Sequence, residues 1–142
     1  MKIRVLLVDD EEAFVEPLSQ RLWMRGFDVE TVLNGEAALE TIGQNELDVV
    51  VLDVLMPGKD GIETLKEIKR MRPLLQVIML TGHATVETAI EGMKLGAYDF
   101  LMKPTDVEDL ANKIVEAHSI KKDHEERIRK AEIDRIVQSK GW

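Results

Sequence analysis

The chain has 142 residues, 44% hydrophobic and 32% charged, enough apolar material for one core and enough charge to keep it in solution. It contains no cysteine, which excludes disulfides, thiolate metal sites and cysteine catalysis. The net charge of −8 argues against nucleic-acid binding, because phosphate backbones are bound with Lys and Arg. The charge is uneven: seven basic and five acidic residues between Lys121 and Lys140 leave the rest of the chain at −10.

Arg4-Val5-Leu6-Leu7-Val8 reads as a buried strand stopped by Asp9-Asp10-Glu11-Glu12. This apolar run is too short for a signal peptide or a membrane span, so a cytoplasmic protein without membrane contact is expected. Phe14, Leu18 and Leu22, four apart, predict a helix closed by Gly26. Pro17 sits awkwardly in it, since proline beyond the first turn costs a hydrogen bond and bends a helix. Phe27, Val29, Thr31 and Leu33 alternate as a strand with a partly wet face. Asn34-Gly35 turns into a short helix ending near Gly43.

The β-branched stretch within Leu47 to Leu55 suits a central strand buried on both faces. Met56 to Gly61 is dense in breakers, and Ile62, Leu65, Ile68 and Met71 then keep helical spacing up to Pro73. Val77 to Leu80 is another buried strand, ending at Thr81-Gly82. A helix over Thr85 to Lys94, a strand over Ala97 to Met102 and a long helix capped by Thr105-Asp106 complete the pattern. Strand and helix alternate five times, which predicts an α/β fold: a five-stranded, parallel, doubly wound sheet with helices on both faces. A domain over residues 1–120 is expected, with a charged helical extension or linker over 121–142.

Function in such a sheet belongs at the carboxyl ends of the strands. Asp9-Asp10, Asp53, Thr81 and Lys103-Pro104 stand at four of those ends. Taken singly, each has an ordinary reading as a turn, a cap or a solvated charge. Together they make an oxygen-only acidic pocket of the kind that accepts Mg²⁺. Asp53 is then the nucleophile for an aspartyl phosphate, while Lys103 and the Thr81 hydroxyl meet phosphoryl oxygens.

Val8-Asp9-Asp10-Glu11, Asp53 through Gly61, Thr81-Gly82 and Gly96-Ala97 with Lys103-Pro104 resemble the response-regulator receiver family of two-component systems, over roughly residues 2–120. The resemblance implies the flavodoxin-like strand order 2-1-3-4-5 of the chemotaxis receiver. It also implies a sensor histidine kinase or phosphotransfer protein as phosphodonor. By position, Asp10, Asp53 and the backbone carbonyl of Leu55 look like direct Mg²⁺ ligands, and Asp9 like a ligand acting through water. The Lys103-Pro104 bond resembles the family's cis peptide. Thr81 and Phe100 match the family's switch pair, and strand alternation places Tyr98 on the same face as Phe100. Leu55 and His83 match the positions that tune phosphoryl lifetime, with apolar Leu55 favouring slow self-hydrolysis.

The last helix presents Val107, Leu110, Ile114 and Ala117 to the sheet. Beyond Ile120, the spacing of Ile128, Ile133, Ile136 and Val137 is too irregular for a sustained heptad. This tail reads either as a solvated, fraying helix or as a dimerising extension resembling linkers to output domains. No DNA-binding module is expected within the chain, so output falls to a contact with a downstream protein or to an effector domain that has been removed.

Two rival classes are weaker. A Mg²⁺-dependent phosphatase would want an acid two residues after its aspartyl nucleophile, where Leu55 stands. A flavin module would want backbone donors after the first strand, where four carboxylates would repel a phosphate. The expected protein promotes its own phosphorylation and dephosphorylation and is not a conventional enzyme. A constitutive interaction scaffold remains the reading if Asp53 is never modified.

Overall fold

A computed structural model describes residues 2–54, 60–82 and 86–141; the expectations placed on Leu55 and His83 lie outside these. Strands β1 (Arg4–Val8), β2 (Asp28–Val32), β3 (Val49–Leu52), β4 (Gln76–Thr81) and β5 (Asp99–Met102) form one sheet. They lie in the order 2-1-3-4-5, and every neighbouring pair is parallel. Helices α1 (Glu12–Met24), α2 (Gly35–Gln44), α3 (Gly61–Met71), α4 (Val86–Lys94) and α5 (Val107–Ser139) follow the strands in turn. The doubly wound architecture expected from the alternating pattern is the one observed.

The period-two pleat sends alternate side chains of each central strand to opposite faces. Val5, Leu7, Val49, Val51, Ile78 and Leu80 pack with Val15, Leu18 and Leu22 of α1 and with Leu110, Ile114 and Ala117 of α5. Leu6, Val8, Val50, Leu52, Val77 and Met79 face the other way, onto Ala38 and Ile42 of α2 and Leu65 and Ile68 of α3. Both faces of the inner strands are thus buried, which is why they read as unbroken apolar runs.

The helix ends follow their local chemistry. Asn34, Asp60 and Asp106 cap α2, α3 and α5, each side chain accepting a backbone N–H from the first turn. Gly26 takes φ +93° after α1, a conformation that glycine reaches at low cost. The helix α1 runs through Pro17 in its second turn, with the proline exposed.

Helix α5 continues without a break for 33 residues, so the tail beyond Ile120 extends the last helix. Its last buried residue is Ala117. One turn later Lys121 reaches back to Asp48 at 3.4 Å. Asp48 also accepts the backbone N–H of Arg4 at 2.8 Å, tying β1 and the start of β3 to the long helix at the amino-terminal edge of the sheet.

Tyr98 departs from expectation. It precedes β5, so the strand's alternation does not govern it. Its ring packs on the α1/α5 side and its hydroxyl donates to Glu116 of α5 at 3.2 Å, whereas Phe100 packs on the α2/α3 side.

Candidate functional site

The polar strand ends meet at the carboxyl edge. Asp9 extends β1 by one residue, its N–H bonded to Val32 O at 3.2 Å, and Asp53 does the same for β3, bonded to Val8 O at 2.9 Å. These ladder bonds fix both backbones, and both side chains are buried, at 5% and 2% exposure. Asp10 is exposed. Carboxylate oxygens of Asp9, Asp10 and Asp53 all lie within 4.8 Å of one another.

Thr81, the last residue of β4, is fully buried, and its carbonyl accepts the N–H of Lys103 at 3.0 Å. The Lys103–Pro104 bond is cis. The ammonium of Lys103 lies 2.6 Å from Asp9 Oδ2, 3.0 Å from Glu11 Oε1 and 3.6 Å from Asp53 Oδ2. Phe100 pairs in register with Met79, as Met102 does with Thr81, so the pleat puts Phe100 on the same side of the sheet as Thr81.

The floor of the site requires a glycine where α3 begins. A Cβ on Gly61 would overlap the Cα of Val54 and the carbonyl oxygen of Asp53. Gly61 N–H instead closes on Val54 O at 3.0 Å, drawing the start of α3 under the Asp53 backbone.

Among the described residues the site gathers four carboxylates, Asp9, Asp10, Asp53 and Glu11, and one ammonium, and so is short of positive charge. Burial raises the Asp9 pKa above its ordinary value, helped by the charge of Asp53 and opposed by hydrogen bonds from Lys103 and the Glu11 N–H. For Lys103, burial is the largest single effect and favours the neutral amine. It is outweighed by hydrogen bonds to Asp9 and Glu11 and by the charges of Asp9 and Asp53, so the Lys103 pKa is raised. An all-oxygen, partly open, over-acidic donor set fits Mg²⁺, a hard cation that keeps several waters. In Asp9, Oδ1 already accepts the Glu11 N–H and Oδ2 the Lys103 ammonium, so both of its oxygens are engaged.

The model of the response regulator receiver domain matches residues 5–115. The chain belongs to the response-regulator receiver family. Among curated relatives, the receiver is 37% identical to the regulatory protein AtoC of Escherichia coli K12, over 84% of this chain and 27% of that protein. It is 41% identical to the transcriptional regulatory protein ZraR of the same organism, over 76% of this chain and 24% of that protein. The receiver therefore spans about a quarter of these relatives' length. Among solved structures, a CheY-like receiver domain protein from Methanospirillum hungatei JF-1 matches at TM-score 0.84 and 29% identity, covering 87% of this chain and 99% of that one. NtrX from Brucella abortus matches at TM-score 0.83 and 33% identity, covering 89% of this chain and 29% of that one.

Two contacts at the receiver's site were not read from the sequence. Glu11 belonged there to an undifferentiated acidic run, and Phe14 to the apolar face of α1. Both touch Lys103: Glu11 by the ion pair above, and Phe14 by placing its ring centroid 4.3 Å from the Lys103 Nζ. Only the end of a long side chain carries this information, and residue spacing does not encode it.

Proposed function

We propose that this receiver accepts a phosphoryl group on a carboxylate oxygen of Asp53, from a sensor histidine kinase or phosphotransfer protein, with Mg²⁺ as cofactor. The observation that carries the reading is the convergence of Asp9, Asp10 and Lys103 on the buried Asp53 carboxylate. In the transfer, an Asp53 oxygen bonds to phosphorus as the phosphorus–nitrogen bond to the donor imidazole breaks, and the imidazole keeps the electron pair. A bound Mg²⁺, held by Asp10 and Asp53 with Asp9 acting through water, would neutralise repulsion between the carboxylates and the incoming phosphoryl group. Lys103 supplies a compact charge to one phosphoryl oxygen, and the Thr81 hydroxyl donates to another. The protein modifies itself and turns over no separate substrate.

Phosphorylation would be read out by the α4–β5–α5 face, with Thr81 and Phe100 as the moving pair. Among its described residues α4 buries only Gly92, so little holds that helix. Ile90, Met93, Met102 and Val115 stand about half exposed, suited to a downstream protein. Ile128, Ile133 and Ile136 of the α5 extension are similarly exposed and would support a homodimer through that helix. Among the described residues no helix is long and apolar enough to cross a membrane, in keeping with a cytoplasmic protein.

Intact mass after incubation with a small acyl phosphate and Mg²⁺ tests the reading. One phosphate adduct, lost on chelation, supports it. No adduct sinks it, and steady hydrolysis of a phosphoester would move the case to a phosphatase.

A further inference from the structure

We propose that Glu11 and Phe14 form a resting seat for Lys103, and that Glu11 is a positioning residue that restrains the lysine until a phosphoryl group arrives. The inference rests on the phosphoacceptor reading of Asp53 and goes beyond it, to what sets the lysine's availability.

The geometry is asymmetric. Lys103 Nζ is within hydrogen-bond distance of Asp9 and Glu11 but 3.6 Å from Asp53. Asp9 and Asp53 are anchored by the sheet ladder. Glu11 and Phe14 come instead from the start of α1: Glu11 stands at its N-cap position, with no capping hydrogen bond from its side chain, and Phe14 lies in its first turn. The Phe14 ring sits under the ammonium, offering the favourable face that aromatic rings present to cations. Phe14 also shares with Asp9 and Asp53 the wall of a small cavity beside β1 and β3. The ammonium is therefore held from the α1 side by a carboxylate and a ring, and from the sheet by Asp9.

A phosphoryl group on Asp53, whose Oδ2 lies 3.6 Å from Nζ, introduces strong acceptor oxygens within reach of the lysine. Lys103 then exchanges Glu11 for a phosphoryl oxygen, keeping most of its path along Asp9. The Glu11 side chain is 56% exposed, so its pair with Lys103 is of the weak, water-screened kind and can be broken at small cost. That weakness suits a restraint: it orders the lysine without locking it. Glu11 also adds a negative charge next to the lysine, which opposes the approach of a dianionic donor.

The test compares phosphorylation rates with a small acyl phosphate and Mg²⁺ for wild type, Glu11→Gln, Glu11→Asp and Glu12→Gln. Glu11→Gln removes the charge at constant shape. Glu11→Asp keeps the charge and withdraws it from reach of Lys103. Glu12→Gln lowers the local charge equally on the neighbouring residue. The seat predicts roughly two- to fivefold faster phosphorylation in both Glu11 variants, the factor an exposed ion pair is worth, and no change in Glu12→Gln. Wild-type rates in both Glu11 variants, or an equal rise in Glu12→Gln, would overturn it.

A second readout needs neither donor nor metal. Hydrogen exchange of the Lys103 ammonium, followed by nitrogen-15 NMR and assigned by its loss in Lys103→Arg, should quicken at least twofold in Glu11→Gln and in Phe14→Leu. Unchanged exchange in both refutes the seat. If wild type forms no adduct at all, the phosphoacceptor reading fails while this measurement still decides the seat.

Discussion

The two edges of the sheet use the same side chains to opposite ends. At the amino-terminal edge, Asp48 accepts one backbone N–H and meets Lys121, which also pairs with the exposed Glu125, so the oxygens of Asp48 are bonded and the second carboxylate stands in water. At the carboxyl edge, carboxylate oxygens of Asp9, Asp10 and Asp53 crowd within 4.8 Å, and among the described residues Lys103 is the lysine that pairs with Asp9 and Asp53. The first arrangement holds the molecule together. The second is held in place by the fold at some cost to stability, the pattern expected where a site is built for a ligand. Carboxylates crowded at buried strand ends are therefore a mark of function that the other edge lacks, where the extra carboxylate, Glu125, is exposed.

The comparison breaks most visibly at Asp53. Asp53→Asn should abolish the phosphate adduct in intact mass, whereas Asp48→Asn should leave it at wild-type level. Mg²⁺ should act on one edge alone. At a concentration one hundred times its dissociation constant it should stabilise the fold by about 2.7 kcal/mol in chemical denaturation, and most of that gain should vanish in Asp10→Asn.

Asp9 sharpens the contrast through pH. Its folded pKa lies above the ordinary 3.8, so between those two values the folded state binds more protons than the unfolded one. Its contribution to stability is fully present below 3.8 and is lost as pH rises through the folded value. Asp9→Asn should remove that slope and, without divalent ions, raise stability at neutral pH by on the order of 1 kcal/mol, as read by urea denaturation. Asp48→Ala should do the reverse, costing about 1 kcal/mol for the lost backbone and lysine partners. Lys121→Ala should cost less, about 0.5 kcal/mol, because its pair is partly screened.

Much of this was legible in the sequence because the signals are local. A strand buried on both faces must be apolar throughout, so the polar residue that ends Val49–Leu52 stands out as Asp53, and the same holds at Asp9 and Thr81; Lys103 follows the partly buried edge strand β5 and stands out through its pairing with Pro104. What the pattern could not supply was contact between distant side chains. Glu11 and Lys103 are 92 residues apart, and Lys121 and Asp48 are 73 apart; each looks like a solvated charge until the fold closes. Tyr98 shows the other limit. The strand expected from Ala97 starts two residues before the observed start of β5 at Asp99, and an alternation rule applied beyond a strand's end assigns the wrong face.

The most direct test of the central claim is to locate the phosphate itself. Phosphorylate the receiver with a small acyl phosphate and Mg²⁺, reduce the acyl phosphate with borohydride, and map the peptides by mass spectrometry. The account predicts that the aspartate reduced to homoserine is Asp53 alone; reduction at another carboxylate, or none in a protein that carries phosphate, contradicts it.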